Sequence, residues 1–161
     1  MADVTASTER IISAPAFTVR RFLADYTVRP TILTDAYSDY VLHSGTVGKG
    51  TVAGWKLAAT KKRVRDVLVD VTLPNHDTIV ETDRNSSMVT TWTISPGPPN
   101  TCRVRISTTW KGAGGIGGFF EKTFAPKGLA AIYDGVLDKL EAAMPAASAA
   151  DESPKDEDGE A

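Results

Sequence analysis

An α+β domain is predicted, with an antiparallel sheet closed by one long C-terminal helix, and three observations predict it. Six strand-length runs lie between Tyr37 and Trp110, joined by links of only a few turn residues. Links that short suit antiparallel neighbours, because a parallel crossover needs a dozen or more residues. Two of the runs alternate strictly: Met88, Thr90, Trp92 and Ile94 fall on one parity, as do Cys102, Val104, Ile106, Thr108 and Trp110. One face of the sheet is therefore buried and the other wet. Beyond Gly118 the apolar period becomes helical, through Leu129, Ile132, Tyr133, Val136, Leu137, Leu140 and Met144.

Each element has a local reason. Val4 to Ile12 is rich in β-branched residues and reads as a first strand, stopping at Ser13-Ala14-Pro15. That tripeptide is a helix-start signal, with Ser13 as the expected cap and Phe17, Val19, Phe22 and Leu23 as the apolar stripe of a helix ending near Asp25. Pro30 opens a second short helical turn through Ile32 and Leu33. The six later strands are Tyr37 to Ser44, Thr51 to Ala59, Arg63 to Thr72, Thr78 to Asp83, Met88 to Ser95 and Thr101 to Trp110. Between them lie Gly-, Pro- and Asn-containing turns. The closing helix spans roughly 25 residues, kinked or interrupted at Pro126, and only the sheet is large enough to cover its apolar face.

Composition sets bounds. The chain has 161 residues, 42% apolar and 24% charged, which fits one soluble globular domain and excludes a fibrous repeat. Residues 1–144 are expected to form that domain. Residues 145–161, with six acids and one lysine, are expected to be a disordered acidic tail, since they can bury too little apolar area to offset chain entropy. The tail carries −5 of the overall −2, so the body is about +3, too mild for a dedicated nucleic-acid binder. A single cysteine, Cys102, cannot make an internal disulfide and is expected to be a small buried hydrophobe. The N-terminal ten residues hold no apolar run fit for a signal peptide, and no stretch of ~18 apolar residues occurs, so a cytoplasmic location is expected. Nothing in the sequence fixes the oligomeric state.

The order strand, two short helices, six strands, long helix resembles the START-like, helix-grip (SRPBCC) superfamily, in particular its polyketide cyclase/dehydrase and lipid-transport group. The residues that carry the likeness are Ser13-Ala14-Pro15 with Val19, Phe22 and Asp25, then Pro30, Gly48 and Gly50, and Phe119-Phe120-Glu121. Thr31-Ile32-Leu33 follows the proline where similar sequences commonly carry an aromatic residue. The resemblance implies a curved seven-stranded sheet, β-α-α-β6-α, wrapped around the C-terminal helix, with a hydrophobic cavity between them that serves lipids, polyketides, sterols or plant hormones in different relatives.

A bent sheet and a straight helix meet best at their ends, so large side chains or a ligand must fill the middle. The expected ligand-binding set is Trp55, Leu57, Trp92, Trp110, Phe120 and Phe124 for the walls, although plain core packing is the commoner role for tryptophans so placed. Arg65 shares the parity of Val67, Val69 and Val71; it either points inward as an anchor for a carboxylate or carbonyl, or faces solvent at the sheet end. Acid–base chemistry has candidates in Tyr37, Tyr40, Asp66, Asp70 and Glu81, none singled out by pattern.

Cofactor motifs fail. Gly112 to Gly117 matches a dinucleotide fingerprint but lacks the following parallel strand, and Gly45 to Thr51 misses the P-loop residues. His43 and His76 lack zinc-ligand spacing. No cofactor or metal is expected. The basic run Lys61 to Arg65, with Arg103 and Arg105, is either a solvated sheet end or a patch for an anion. Three functions remain: a carrier of a hydrophobic small molecule with one anionic end, a cyclase- or dehydratase-type enzyme using the same cavity, and a stress-response or toxin-like partner-binding module.

Overall fold

The computed structural model describes residues 3–60, 63–111 and 126–160, the side chains of 59, 60, 63 and 149–160 excepted. Seven strands form one antiparallel sheet in the order β1-β7-β6-β5-β4-β3-β2. They are β1 Asp3–Ile12, β2 Tyr37–Ser44, β3 Val52–Thr60, β4 Arg63–Asn75, β5 Thr78–Asp83, β6 Val89–Pro96 and β7 Cys102–Lys111. Helix α1 covers Ala16–Ala24, a 3-10 turn covers Arg29–Ile32, and helix α2 covers Pro126–Glu160. The anticipated order and curved sheet are present, and every strand lies within a few residues of its expected span.

Two helix boundaries differ from expectation. Pro15 rather than Ser13 occupies the cap of α1, and no side chain caps it; Pro15 sits in extended backbone, and its carbonyl accepts the Val19 amide at 3.2 Å. Phe17 is 54% exposed and lies outside the apolar stripe, its ring covered by the Arg21 guanidinium at 5.6 Å. At the other end, α2 shows no break near residue 144. Met144 is buried and Ala147 partly so, and the backbone stays helical through Glu160. The alanine-rich stretch after Glu141 favours that continuation, although Pro145 and Pro154 deprive the carbonyls of Glu141 and Ala150 of their usual donors.

Bulges bend the sheet on one side. Register breaks between Ser38 and Val41 and between Leu42 and Ser44 in the β2–β3 pair, and between Thr72 and Asn75 in the β4–β5 pair. Each bulge raises the local twist. The β1–β7 pair, by contrast, runs in unbroken register from Asp3↔Lys111 to Ile12↔Cys102. Along that regular side α2 is tied to β1: Thr8 Oγ1 donates to Asp134 Oδ1 at 2.5 Å, and Arg10 pairs with Asp138.

The concave face and α2 enclose the core. Leu129, Tyr133, Val136, Leu137, Leu140 and Met144 are buried on the helix side and belong to one core with Ile94, Val104, Ile106 and Trp110. A side chain at Gly135 would meet Thr34 Cγ2 at 3.0 Å, so glycine there lets α2 approach the segment after the 3-10 turn. The end of α1 is clamped to the β2–β3 loop by Tyr26 N to Thr46 O and Gly48 N to Ala24 O, both 2.8 Å. That clamp sets Tyr26 and Arg29 over the bent part of the sheet.

Candidate functional site

Strand alternation carries several polar groups inward. On β5, Ile79, Glu81 and Asp83 share the buried parity. Glu81 stands opposite Val71 on β4 and Thr90 on β6; Thr90 in turn stands opposite Thr108 on β7. The 3-10 turn delivers Arg29 to the same place. Its Nη1 donates to Glu81 Oε2 at 2.6 Å and its Nη2 to the Leu23 carbonyl at 2.7 Å, the latter satisfying an open carbonyl near the end of α1. Tyr26 donates from its hydroxyl to the same Glu81 oxygen at 2.5 Å.

Aromatic rings enclose this cluster. The Arg29 guanidinium lies 4.3 Å from the Tyr26 ring centre and 5.1 Å from that of Trp92. Such cation–π contacts strengthen when desolvated. Trp55 stacks on Tyr40 at 6.0 Å and meets Tyr37 edge-on at 6.4 Å. Among the described residues, the buried Nε of Arg29 and Nε1 of Trp55 and Trp92 have no hydrogen-bond acceptor. On the opposite side the Tyr133 hydroxyl joins Thr108, which also bonds Thr90 at 2.7 Å.

These groups border a hollow of about 20 Å³ between sheet and α2, lined by Arg29, Leu33, Tyr37, Glu81, Met88 and Tyr133 and by the inward residues between them. That volume admits one water molecule. The expected ligand-sized cavity is therefore largely filled, because Trp55, Leu57, Trp92 and Met88 themselves occupy the bend.

Burial controls ionisation here. Removal from water raises Tyr26 and Tyr37 well above the ordinary tyrosine value, and pushes Tyr133 up to about 12. For Arg29, burial acts to lower the value, yet the fields of Tyr26 and Glu81 and the hydrogen bond to Glu81 outweigh it and raise it. The cation is therefore permanent.

The expected site residues are distributed as follows. Trp55, Leu57 and Trp92 border the hollow. Trp110 is buried at the β1–β7 side, opposite Val4, and is not one of the lining residues. Arg65 is half-buried, registers with Leu57, and also lies outside the lining; burial lowers its pKa. Phe120 and Phe124 lie outside the described residues, as do Gly112 to Gly117 and the Lys61-Lys62 pair. Arg103 and Arg105 do not join Arg65 in a patch: β6 and β5 separate their strands, and both pair with Glu9. Cys102 is buried, and burial raises its thiol, as suits a hydrophobe. Among the described residues no His, Cys, Asp and Glu group could hold a metal, and no helix is long and apolar enough to cross a membrane.

Sequence reasoning missed Arg29, Tyr26, Thr90, Thr108 and Tyr133, and did not separate Glu81 from other acids. A signal existed for Glu81, which shares the parity of Ile79 within a short strand. Arg29 had none, because a 3-10 turn offers no long periodicity to read.

A curved sheet gripping a terminal helix, with a charged pair sealed in the wall between them, defines a helix-grip protein of the START-like class. The chain belongs to the polyketide cyclase / dehydrase and lipid transport family, whose model matches residues 1–145. It is similar to the solution structure of the KanY protein, at 49% identity over 88% of this chain and 97% of that one, with a TM-score of 0.78. A START superfamily protein from Mycobacterium smegmatis shares the fold at 12% identity, covering 86% of this chain and 94% of that one, TM-score 0.65. Norcoclaurine synthase from Thalictrum flavum does so at 14% identity, covering 86% and 94%, TM-score 0.63. No curated protein sequence matches the chain.

Proposed function

We propose that the protein binds a hydrophobic small molecule between the sheet and α2, seating the ligand's polar end on the Arg29–Glu81 cluster and the hydroxyls of Tyr37 and Tyr133. One observation carries this reading. Two opposite charges sit fully buried in the hollow's wall, with side chains 3% and 4% exposed. Burying such a pair adds little stability, and apolar residues of similar volume often serve a core better. A polar cluster kept at that cost suits recognition of a ligand.

The hollow's present size sets a condition: a ligand larger than water must displace flexible wall side chains, Leu33 and Met88 first. Organic extraction of the purified full chain, followed by mass spectrometry, should recover a bound molecule. Tryptophan emission should shift on titration with fatty acids, sterols and aromatic polyketides. An empty extract together with unchanged emission across that panel would overturn the proposal.

A second reading, a cyclase- or dehydratase-type enzyme, is favoured by a specific feature. Glu81, Tyr37 and Tyr133 line the same hollow, placing a carboxylate and two phenols around one water-poor space. Turnover of a reactive poly-β-ketone that disappears in Glu81→Gln, while ligand binding persists, distinguishes enzyme from carrier.

A further inference from the structure

We infer that the hollow selects an uncharged ligand whose polar end is a ketone, phenol or alcohol oxygen, and discriminates against the carboxylate of the same carbon skeleton. The inference deepens the binding proposal above and rests on it. It also departs from the anionic ligand that Arg65 suggested.

The charge count of the wall comes first. Among the described residues that line the hollow, the charged side chains are Arg29 and Glu81, and they neutralise each other at 2.6 Å. A bound carboxylate would leave the space with one net negative charge, facing Glu81 without water to screen it. Like charges juxtaposed in a desolvated site repel strongly.

Geometry agrees. A carboxylate is held best by two parallel N–H groups of one guanidinium. On Arg29 both terminal nitrogens already have acceptors, Nη1 on Glu81 and Nη2 on the Leu23 carbonyl, and both Tyr26 and Trp92 rings lie against the group. Of its three nitrogens, the buried Nε alone has no acceptor among the described residues. One N–H can serve one neutral oxygen. Tyr37 lines the same space and offers a second donor, an O–H kept protonated because burial raises its pKa. The flat indoles of Trp55 and Trp92, both in the wall, favour a planar skeleton beside that oxygen.

The test uses matched probes on the full chain. Calorimetric titration compares naphthyl methyl ketone with naphthoate at neutral pH. The expected result is that the ketone binds at least about tenfold more tightly. In Glu81→Gln the guanidinium charge is left without its counter-charge and the hollow becomes net positive, so naphthoate should recover and equal or exceed the ketone. If that variant does not fold, the comparison on the unaltered chain decides alone. Equal or tighter binding of naphthoate to the unaltered chain overturns the selectivity while leaving the binding proposal standing. If neither probe binds, and the extract and lipid panel are also silent, the binding proposal fails and takes the selectivity with it.

Discussion

Arg29 donates from Nη1 to Glu81 Oε2 at 2.6 Å, across 52 residues of sequence, in a place where neither side chain reaches water. Tyr26 shares the same carboxylate oxygen and stacks its ring beneath the guanidinium. The three groups join the end of α1 to the middle of the sheet.

Breaking that pair from one side should be costly. Arg29→Met or Glu81→Leu alone leaves a buried charge uncompensated and is expected to lose about 3–5 kcal/mol. The double variant removes both charges and should regain most of the loss. Urea unfolding of the three variants measures this, and a double variant as unstable as the sum of the singles would contradict it.

Alkaline pH should weaken the fold. The folded chain holds the Tyr133 proton more tightly than the unfolded chain does, because burial raises its value from 10.0 to about 12. The resulting stabilisation is complete below the unfolded value and is lost as pH rises through the folded one. For Tyr133 that amounts to about 3 kcal/mol between roughly pH 10 and 12. Tyr26 and Tyr37 act in the same direction. Stability curves at increasing pH, compared with Tyr133→Phe, should show a shallower decline in the variant.

Gly45 closes the turn after β2 with φ at +66°, and a side chain there would meet Thr51 Cα at 3.1 Å. Gly45→Ala should therefore cost about 1–2 kcal/mol from backbone strain alone, with crowding added. A thermal midpoint unchanged from the parent would contradict this.

Two apolar residues should respond in opposite ways. Leu137 is fully buried on the sheet-facing side of α2, and Leu137→Ala should cost about 2–5 kcal/mol. Phe17→Ala, on an exposed side of α1, should change stability by no more than about 0.5 kcal/mol. Paired denaturation curves read the contrast directly.

The legible part of this protein was whatever repeats at short range. Alternation in β6 and β7 revealed which face is buried, and the spacing from Leu129 to Met144 revealed the gripping side of α2. The inward placement of Trp55, Leu57 and Trp92 was legible the same way, because their parity turns them toward the hollow. Arg65 had the right parity too, yet parity says nothing of position along the strand, and its place falls beyond the lining. The size of the hollow was equally out of reach: it depends on which rotamers the indoles adopt, a property of packing rather than of pattern.

By itself, then, the amino-acid order determined the succession of strands and helices and the side of each that avoids water, since period and turn chemistry are local. Only the tertiary structure decided that Arg29, Tyr26 and Glu81 converge. They come from a helix end, a single 3-10 turn and a central strand, and what unites them is the bend of the sheet together with the clamp of α1 onto the β2–β3 loop. Charges so far apart in sequence carry no mutual signal until a water-free space forces them to pair.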